Sequence, residues 1–295
     1  MESDHMNRKS IKPSEKSIED SVLRALEEDI GDGDRTAALI DPVKKNSADI
    51  VCREDSILCG TDWVNKTYQI LDSGIKISWN HKDGDRISKN QTVCMIHGNT
   101  QKILSGERTA INFLQTLSGT ATTTAQYVDA LRNKKVKILD TRKTIPGLRD
   151  AQKYAVVCGG GKNHRKGLYD GILIKENHIL AAGSIKKAVG TIRDLYPKLK
   201  IEVEVEHAEQ ISEAVQAGAD IVMLDNFNED QIKDSLPLFP QKTLIEVSGN
   251  LTLERIGRLS ELDIDFVSVG ALTKNINSID FSMQLNDKSQ GSLFS

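Results

Sequence analysis

The chain has 295 residues and a formal net charge of −3, and 38% of its residues are hydrophobic. This balance is typical of a soluble globular protein with one or two domains, and it excludes a disordered chain. With 4% aromatic residues, the chain lacks the basic field and the stacking platforms that nucleic acids need. No apolar run reaches the ~18 residues of a membrane span. The four cysteines form no Cys-x-x-Cys pair, so we expect free thiols in a cytoplasmic protein.

The first part of the chain, to about residue 118, mixes helix and strand. Apolar residues recur at helical spacing over residues 17–29, and a Gly-Asp-Gly-Asp turn follows. Beyond the turn we expect three strands and one helix, at residues 48–58, 75–79 and 91–97 and at residues 62–71. Strands in succession with few helices indicate a separate α+β domain, residues 1–118.

From Glu107 a long helical segment leads into short apolar strands that alternate with helices. The strands are expected at residues 136–139, 171–174, 201–205, 221–224, 244–247 and 266–269. The helices are expected at residues 184–195, 208–217, 229–236 and 251–259. Alternation at intervals of roughly 20–30 residues is typical of parallel strands joined by crossover helices. It indicates an α/β domain over residues 119–275, either a barrel or a doubly wound sheet.

The strand that begins at Ile201 distinguishes these two architectures. It reads Ile-Glu-Val-Glu-Val-Glu, so an apolar face alternates with a face of three carboxylates, Glu202, Glu204 and Glu206. Helices cover both faces of a doubly wound sheet, where such carboxylates are costly to bury, whereas one face of a barrel strand points into the lumen. An exposed edge strand would also tolerate the acids, but apolar strands follow this one in the array. The pattern favours a parallel α/β barrel.

Polar or small residues follow each predicted strand of this domain, and active sites of parallel α/β barrels lie at the C-terminal ends of the strands. Residues 132–175 are rich in Lys and Arg and supply the candidate cations. Residues 201–230 contain no Lys or Arg and supply the candidate acids. The candidate cations are Arg142, Lys143, His164, Arg165 and Lys175, and the candidate anions are Glu204 and Asp225.

The last two strands are followed by small residues, whose backbone N–H groups are suited to phosphate but equally suit tight turns: Ser248, Gly249 and Asn250, then Gly270 and Ala271. Arginine suits carboxylate or phosphate, and paired carboxylates suit a sugar diol, Mg²⁺ or a developing positive charge. Together these groups predict a polyanionic substrate that gains cationic character as it reacts, as in phosphoribosyl transfer.

The sequence resembles the quinolinate phosphoribosyltransferase family over nearly the whole chain, from DIGD (29–32) to about Thr273, and several segments carry the resemblance most strongly. They are GERTA (106–110), DTRKTIPGLR (140–149), GGKNHR (160–165), LIKENH (173–178), EVEV (202–205), MLDNF (223–227) and VGALT (269–273). The resemblance implies an α/β sandwich domain followed by an incomplete α/β barrel, with the tail, residues 276–295, returning to the sandwich. It also implies an enzyme of NAD biosynthesis that makes nicotinate mononucleotide, carbon dioxide and pyrophosphate from quinolinate and 5-phosphoribosyl 1-pyrophosphate, with Mg²⁺.

The resemblance also implies how single residues act. The two carboxylates of quinolinate would be held by Arg142, His164, Arg165 and Lys175, and by Arg108 from the neighbouring subunit of a homodimer. Lys143 would lie between the substrates. Two acids, Glu204 and Asp225, would take the ribose hydroxyls and Mg²⁺ and stabilise an oxocarbenium ion. The catalytic residues would thus be Lys143, Lys175, Glu204 and Asp225.

On the phosphate side, the resemblance implies Ser248, Gly249, Gly270 and Ala271. Three residues adjacent in sequence to those named above complete the predicted substrate-binding set: Thr141, Asn250 and Val269. The family often has His at the position of Lys274, so this chain departs from the pattern there.

Two alternatives remain at this point. One is a nicotinate-using or molybdenum-transport-associated phosphoribosyltransferase on the same fold, against which the full set of carboxylate-binding cations argues. The other is a barrel that binds a phosphorylated ligand without catalysis. Acids at an anion site weaken binding unless a metal or a developing positive charge requires them, so Glu204 and Asp225 argue against it.

Overall fold

The computed structural model describes residues 12–286. These residues form two compact units. The first contains the described residues up to Thr123, Ile145–Gly160 and those from Asn275 on, and the second contains Thr124–Thr144 and Gly161–Lys274. Ile145–Gly160, expected in the barrel domain, therefore groups with the first unit, and the domain limits at residues 118 and 275 stay predictions. Within the described range, no helix has the length and apolar character to cross a membrane.

The helices and strands follow one another in chain order. The strands are β1 (Lys45–Cys52), β2 (Ser56–Ile57), β3 (Lys76–Trp79), β4 (Arg86–Ile87), β5 (Thr92–Asn99), β6 (Lys137–Leu139), β7 (Ile172–Ile174), β8 (Ile201–Val205), β9 (Ile221–Asp225), β10 (Leu244–Ser248), β11 (Phe266–Ser268) and β12 (Phe281–Leu285). The α-helices are α1 (Glu15–Ile30), α2 (Thr61–Leu71), α3 (Thr100–Asp129), α4 (Arg149–Cys158), α5 (Glu176–Ala182), α6 (Ile185–Leu195), α7 (Ala208–Gln216), α8 (Glu229–Ser235), α9 (Leu253–Leu259) and α10 (Ala271–Lys274).

The first unit is built on an antiparallel sheet with the strand order β12-β1-β5-β3, beside a two-stranded sheet of β2 and β4. Strand β1 alternates along its length, so that Ala48, Ile50 and Cys52 are fully buried. They belong to one apolar core with the buried α3 residues Ile111 and Leu114. Burial of this face on α3 is the driving force for the α+β fold of the unit.

The C-terminal segment of the described chain pairs with the first strand of this unit. Strand β12 runs antiparallel to β1, with Ala48 opposite Leu285. Just before it, the chain passes so close to α3 that a Cβ at Gly119 would lie 2.2 Å from the carbonyl oxygen of Asn277. Only glycine fits there without displacing the backbone. Residues 287–295 of the predicted tail lie outside the described residues.

The second unit contains a parallel sheet of six strands in the order β6-β11-β10-β9-β8-β7. From β7 to β11, neighbours in sequence are neighbours in the sheet, and β6 returns to pair with β11. Within the described chain, β6 and β7 are the two edges of this sheet and do not pair with each other. The sheet is therefore open, and the predicted α/β fold with an incomplete barrel is confirmed.

All six predicted barrel strands are present, with ends that differ by no more than one residue. Glu206 lies beyond the end of β8 and is exposed, so the three carboxylates predicted on one lumen face do not form a set. Three helices had not been expected from the sequence: α4, α5 and the four-residue α10. Helix α5 has no buried residue. The buried apolar face of α4 is limited to Ala151, Ala155 and Val156, beside the buried Gln152 and Lys153, so neither helix carries the strong apolar stripe that indicates a helix.

Candidate active site

A cavity of about 360 Å³ lies at the C-terminal ends of the strands of the second unit. Parallel strands bring their C-terminal ends to one edge of the sheet, so residues distant in sequence meet there. Residues predicted from the sequence line much of it: Thr141, Arg142, Lys143, His164, Arg165, Lys175, Glu204, Asp225 and Ser248. Three further residues complete the lining: Leu173, Met223 and Ser268.

Other predicted residues lie near the cavity in the fold without lining it. Gly249 and Asn250 directly follow Ser248, and Gly270 and Ala271 follow the buried Val269. A Cβ at Gly270 would lie 3.0 Å from Lys143 Cδ, which places this glycine against a lining residue. Arg108 is an exposed residue of α3 in the first unit, and its assignment to a partner's site stays a prediction.

A larger groove of about 1500 Å³ in the second unit does not have this chemistry. It is lined by residues between Arg165 and Leu199, including the exposed apolar side chains Leu168, Tyr169 and Tyr196. Neither Glu204 nor Asp225 reaches it. We therefore locate the candidate active site in the smaller cavity, where both signs of charge converge.

Asp140, just after β6, holds the segment that carries His164. Its carboxylate is fully buried and accepts from the His164 N–H at 2.8 Å and from Asn163 Nδ2 at 2.6 Å. Lys162 continues the sheet beside β6, where its N–H donates to the Ile138 carbonyl at 2.8 Å. The glycine-rich approach to His164 therefore ends in a fixed segment rather than in a freely moving loop.

Two buried carboxylates face Nε2 of the His164 imidazole. Its Nδ1 accepts from the Arg165 N–H at 2.7 Å, so Nδ1 is unprotonated and the ring proton is on Nε2. Nε2 lies 2.9 Å from Glu202 Oε2 and 3.7 Å from Glu246 Oε1. Both carboxylates are almost fully buried, so the tautomer and the position of the ring are set by its surroundings.

Neither Glu202 nor Glu246 was predicted as a site residue. Glu202 was predicted to lie on the lumen face, but no partner was predicted for it. Glu246 lies in a strand that was predicted only as apolar, and no role was predicted for it. A single carboxylate between Ile245 and Val247 was the available signal, because a buried acid in a strand needs a partner.

Two cationic side chains of the cavity differ in their hydrogen-bond and ion-pair partners. Lys175 Nζ is paired with Glu204 Oε2 across the ends of β7 and β8. Arg165 donates to the Gly171 carbonyl at 3.2 Å, and burial together with the neighbouring Arg142 guanidinium lowers its pKa. Two guanidinium groups that line one small cavity favour an anionic ligand there.

The backbone of Lys143 is held at both ends of the residue. Its N–H donates to Thr141 Oγ1 at 3.0 Å, and its carbonyl accepts from Thr273 Oγ1 at 2.7 Å. The position of this side chain at the cavity is therefore supported by the end of β6 and by α10. Such support is what a charged group needs to act at a defined point on a substrate.

Two carboxylates of the cavity have the chemistry to hold a hard cation. Glu204 and Asp225 offer oxygens, and Asp225 Oδ2 also accepts from Asn226 Nδ2 at 2.8 Å. Mg²⁺ commonly takes one or two protein carboxylates and completes its shell with water and substrate phosphates. The donor set fits that mode of binding.

The open α/β barrel and its charged cavity define a protein that binds an anionic small molecule at the C-terminal ends of its strands. The chain belongs to the quinolinate phosphoribosyl transferase family. The profile of the N-terminal domain of that family matches residues 34–118, and the profile of its C-terminal domain matches residues 120–284.

Relatives in several bacteria are similar along most of the chain. The probable nicotinate-nucleotide pyrophosphorylase [carboxylating] of Bacillus subtilis is 42% identical over 259 residues, which cover 88% of this chain and 90% of that protein. The nicotinate-nucleotide pyrophosphorylase [carboxylating] of Mycobacterium leprae is 36% identical over 276 residues, which cover 90% of this chain and 96% of that protein.

Solved structures agree with these relatives. The nicotinate-nucleotide pyrophosphorylase from Francisella tularensis superposes with a TM-score of 0.91 at 44% identity, covering 94% of this chain and 99% of that one. NadC from Streptococcus pyogenes gives 0.90 at 40% identity, with 93% and 98% covered. Human nicotinic acid phosphoribosyltransferase, at 12% identity and a TM-score of 0.60, shares the fold alone.

Proposed function

We propose that the protein transfers the phosphoribosyl group of 5-phosphoribosyl 1-pyrophosphate to quinolinate and releases carbon dioxide, forming nicotinate mononucleotide and pyrophosphate. This is a step of NAD biosynthesis from quinolinate. The observation that carries the proposal is the cluster of cations in one small cavity, in a chain that is 42% identical to a relative named for this activity. A dicarboxylate needs more than one cationic partner, and Arg142, Arg165 and Lys175 supply them.

Binding aims the pyridine nitrogen at C1′ of the ribose. The cations hold the two carboxylates and offset the repulsion between two anionic substrates. The nitrogen lone pair forms the new bond to C1′ as the bond from C1′ to the pyrophosphate oxygen breaks. No side chain has to act as a nucleophile, and Lys143 between the substrates stabilises the departing negative charge.

Decarboxylation follows from the charge that this transfer creates. The ribosylated ring is cationic and stabilises the electron pair left at C2 when the bond to the 2-carboxylate breaks. The carbon then takes up a proton, so one carbon dioxide leaves for each pyrophosphate. Glu204 offsets the positive charge that develops at C1′ and is assigned roughly 3–4 kcal/mol, the scale of one preorganised group.

Mg²⁺ is the proposed cofactor, and Glu204 and Asp225 would hold it. When bound, it supplies positive charge to the pyrophosphate that leaves. The support is the pair of carboxylates in a cavity that Arg142, Lys143, Arg165 and Lys175 also line, since acids beside an anion require a compensating charge.

A homodimer with composite sites, in the cytoplasm, completes the proposal. Arg108 is exposed on α3 and is available to a second copy, and the four cysteines are free thiols. The homologous proteins in plants carry chloroplastic or mitochondrial names, so the cytoplasmic assignment concerns this chain only.

A substrate panel tests the reaction. Quinolinate, nicotinate and nicotinamide are each mixed with 5-phosphoribosyl 1-pyrophosphate, with and without Mg²⁺, while pyrophosphate and carbon dioxide are measured. Of the three pyridines, we expect only quinolinate to give both products, in equal amounts and only when Mg²⁺ is present. Turnover of nicotinate without carbon dioxide, or no turnover of any pyridine, would contradict the proposal.

A further inference from the structure

The loops that follow β9 and β10 contact each other closely. The Asn226 N–H donates to the Ser248 carbonyl at 3.0 Å, and a Cβ at Gly249 would lie 2.2 Å from Asn226 Oδ1. Three residues here have positive φ: Asn226 at 60°, Gly249 at 93° and Asn250 at 48°. Left-handed conformations at the two asparagines each cost about 1 kcal/mol or more, so surrounding contacts must hold them.

One side chain contacts both loops. Arg255, in the first turn of α9, donates from Nη1 to the carbonyls of Gly249 at 3.0 Å and Asn250 at 3.1 Å. From Nη2 it donates to the Phe227 carbonyl at 2.5 Å. The guanidinium thus connects the turn after β10 to the turn after β9, and the planar fork of arginine is suited to several fixed acceptors at once.

These hydrogen bonds set the directions of the neighbouring N–H groups. In a planar trans peptide, a carbonyl and the N–H of the next residue point in opposite directions. Because the carbonyls of Gly249 and Asn250 face Arg255, the N–H groups of Asn250 and Leu251 face away from it. Successive N–H groups in a left-handed turn form a concave site for an anion, and this turn begins at Ser248, which lines the cavity.

We infer that Arg255 is a positioning residue for the phosphate side of the site. It holds the peptide planes of the turn after β10 so that the N–H groups of Asn250 and Leu251 bind a phosphate of 5-phosphoribosyl 1-pyrophosphate, while Arg255 itself donates to three backbone carbonyls. The inference rests on the proposed function for the identity of the substrate.

Arg255→Met and Arg255→Lys test this, with Arg258→Met as the matched control. Arg258 is on the same helix and pairs at the surface with Glu229 at 2.8 Å and Glu254 at 2.6 Å. We expect Arg255→Met to raise the KM for 5-phosphoribosyl 1-pyrophosphate about tenfold and to change the KM for quinolinate less than about twofold. Arg255→Lys should recover part of the loss, and Arg258→Met should match the wild type.

Equal increases in both KM values, or equal behaviour of Arg255→Met and Arg258→Met, would overturn the inference. If Arg255→Met does not fold, Arg255→Lys and Arg255→Gln supply the same comparison. Calorimetric binding of 5-phosphoribosyl 1-pyrophosphate to each variant separates this inference from the proposed function. A wild type without turnover refutes the function, whereas equal Kd values for wild type and variants refute the role of Arg255.

Discussion

Glu202 Oε2 lies 2.9 Å from His164 Nε2, and both side chains are almost completely buried. We expect Glu202→Gln to lower kcat/KM for quinolinate about tenfold, because the amide retains the shape but removes the charge that holds the protonated Nε2 towards it. Steady-state kinetics and thermal melting of the folded variant test this. A variant with unchanged quinolinate kinetics would show that Glu202 serves stability alone.

Glu204→Gln should lower kcat by about two decades and leave quinolinate binding largely intact, because the lost charge matters most when C1′ becomes cationic. The matched control is Glu206→Gln, since Glu206 is exposed beyond the end of β8. Glu202 does not serve as a second control, because it contacts His164. A larger kcat loss in Glu206→Gln than in Glu204→Gln would contradict the assignment.

Arg165→Ala and Lys175→Ala should each lower kcat/KM for quinolinate by one to two decades, because each removes about 1.5–3 kcal/mol of charge-assisted hydrogen bonding. The effect on the KM for 5-phosphoribosyl 1-pyrophosphate should be smaller. Kinetics with each substrate varied in turn measure the difference. Equal losses for both substrates would exclude the cations from specific binding of the dicarboxylate.

Arg108→Ala and Lys175→Ala homodimers should both be nearly inactive if each site takes Arg108 from one chain and Lys175 from the other. After subunit exchange, mixed dimers should regain activity, because one of their two sites then contains both wild-type residues. Activity assays after mixing, with exchange verified by mass spectrometry, measure the recovery. Exchange without recovery would place Arg108 in its own chain's site or outside any site.

Asp220 offers a prediction about acid stability. Burial alone would raise its pKa, but hydrogen bonds from Arg193 at 2.8 Å and from the Ile201 N–H at 2.9 Å outweigh burial, and the pKa lies below its usual value. A carboxylate whose pKa is lower in the folded than in the unfolded protein stabilises the fold at pH values above the unfolded-state pKa. This stabilisation is lost as the pH falls through the folded-state pKa.

Asp220→Asn should therefore reduce the free energy of unfolding by about 1–3 kcal/mol at neutral pH, with a difference that shrinks below about pH 4. Urea denaturation across this pH range provides the measurement. Asp230→Asn, at an exposed residue of α8, should have no such effect. A difference between Asp220→Asn and wild type that persists unchanged in acid would contradict the role of the charge.

The sequence alone was sufficient to predict the positions of the parallel strands along the chain and much of the lining of the cavity. Short apolar strands alternating with helices specify a parallel sheet, because that connection returns each strand in the same direction. The same rule brings the residues after each strand to one edge, so Arg142, Lys175 and Asp225 were expected together and do line one cavity. The helices α4 and α5 were not predicted because α5 buries no residue and the buried apolar face of α4 consists of only two alanines and one valine.

Only the tertiary structure decided which side chains meet across strands. Periodicity encodes the face on which a residue lies, but the partner on another strand depends on the register and tilt of the sheet. Glu202 and Glu204 are two residues apart in one strand, yet the first contacts His164 and the second pairs with Lys175. The contact of Arg255 with the turns after β9 and β10 is equally invisible in the sequence, because its acceptors are backbone carbonyls that any residue type provides.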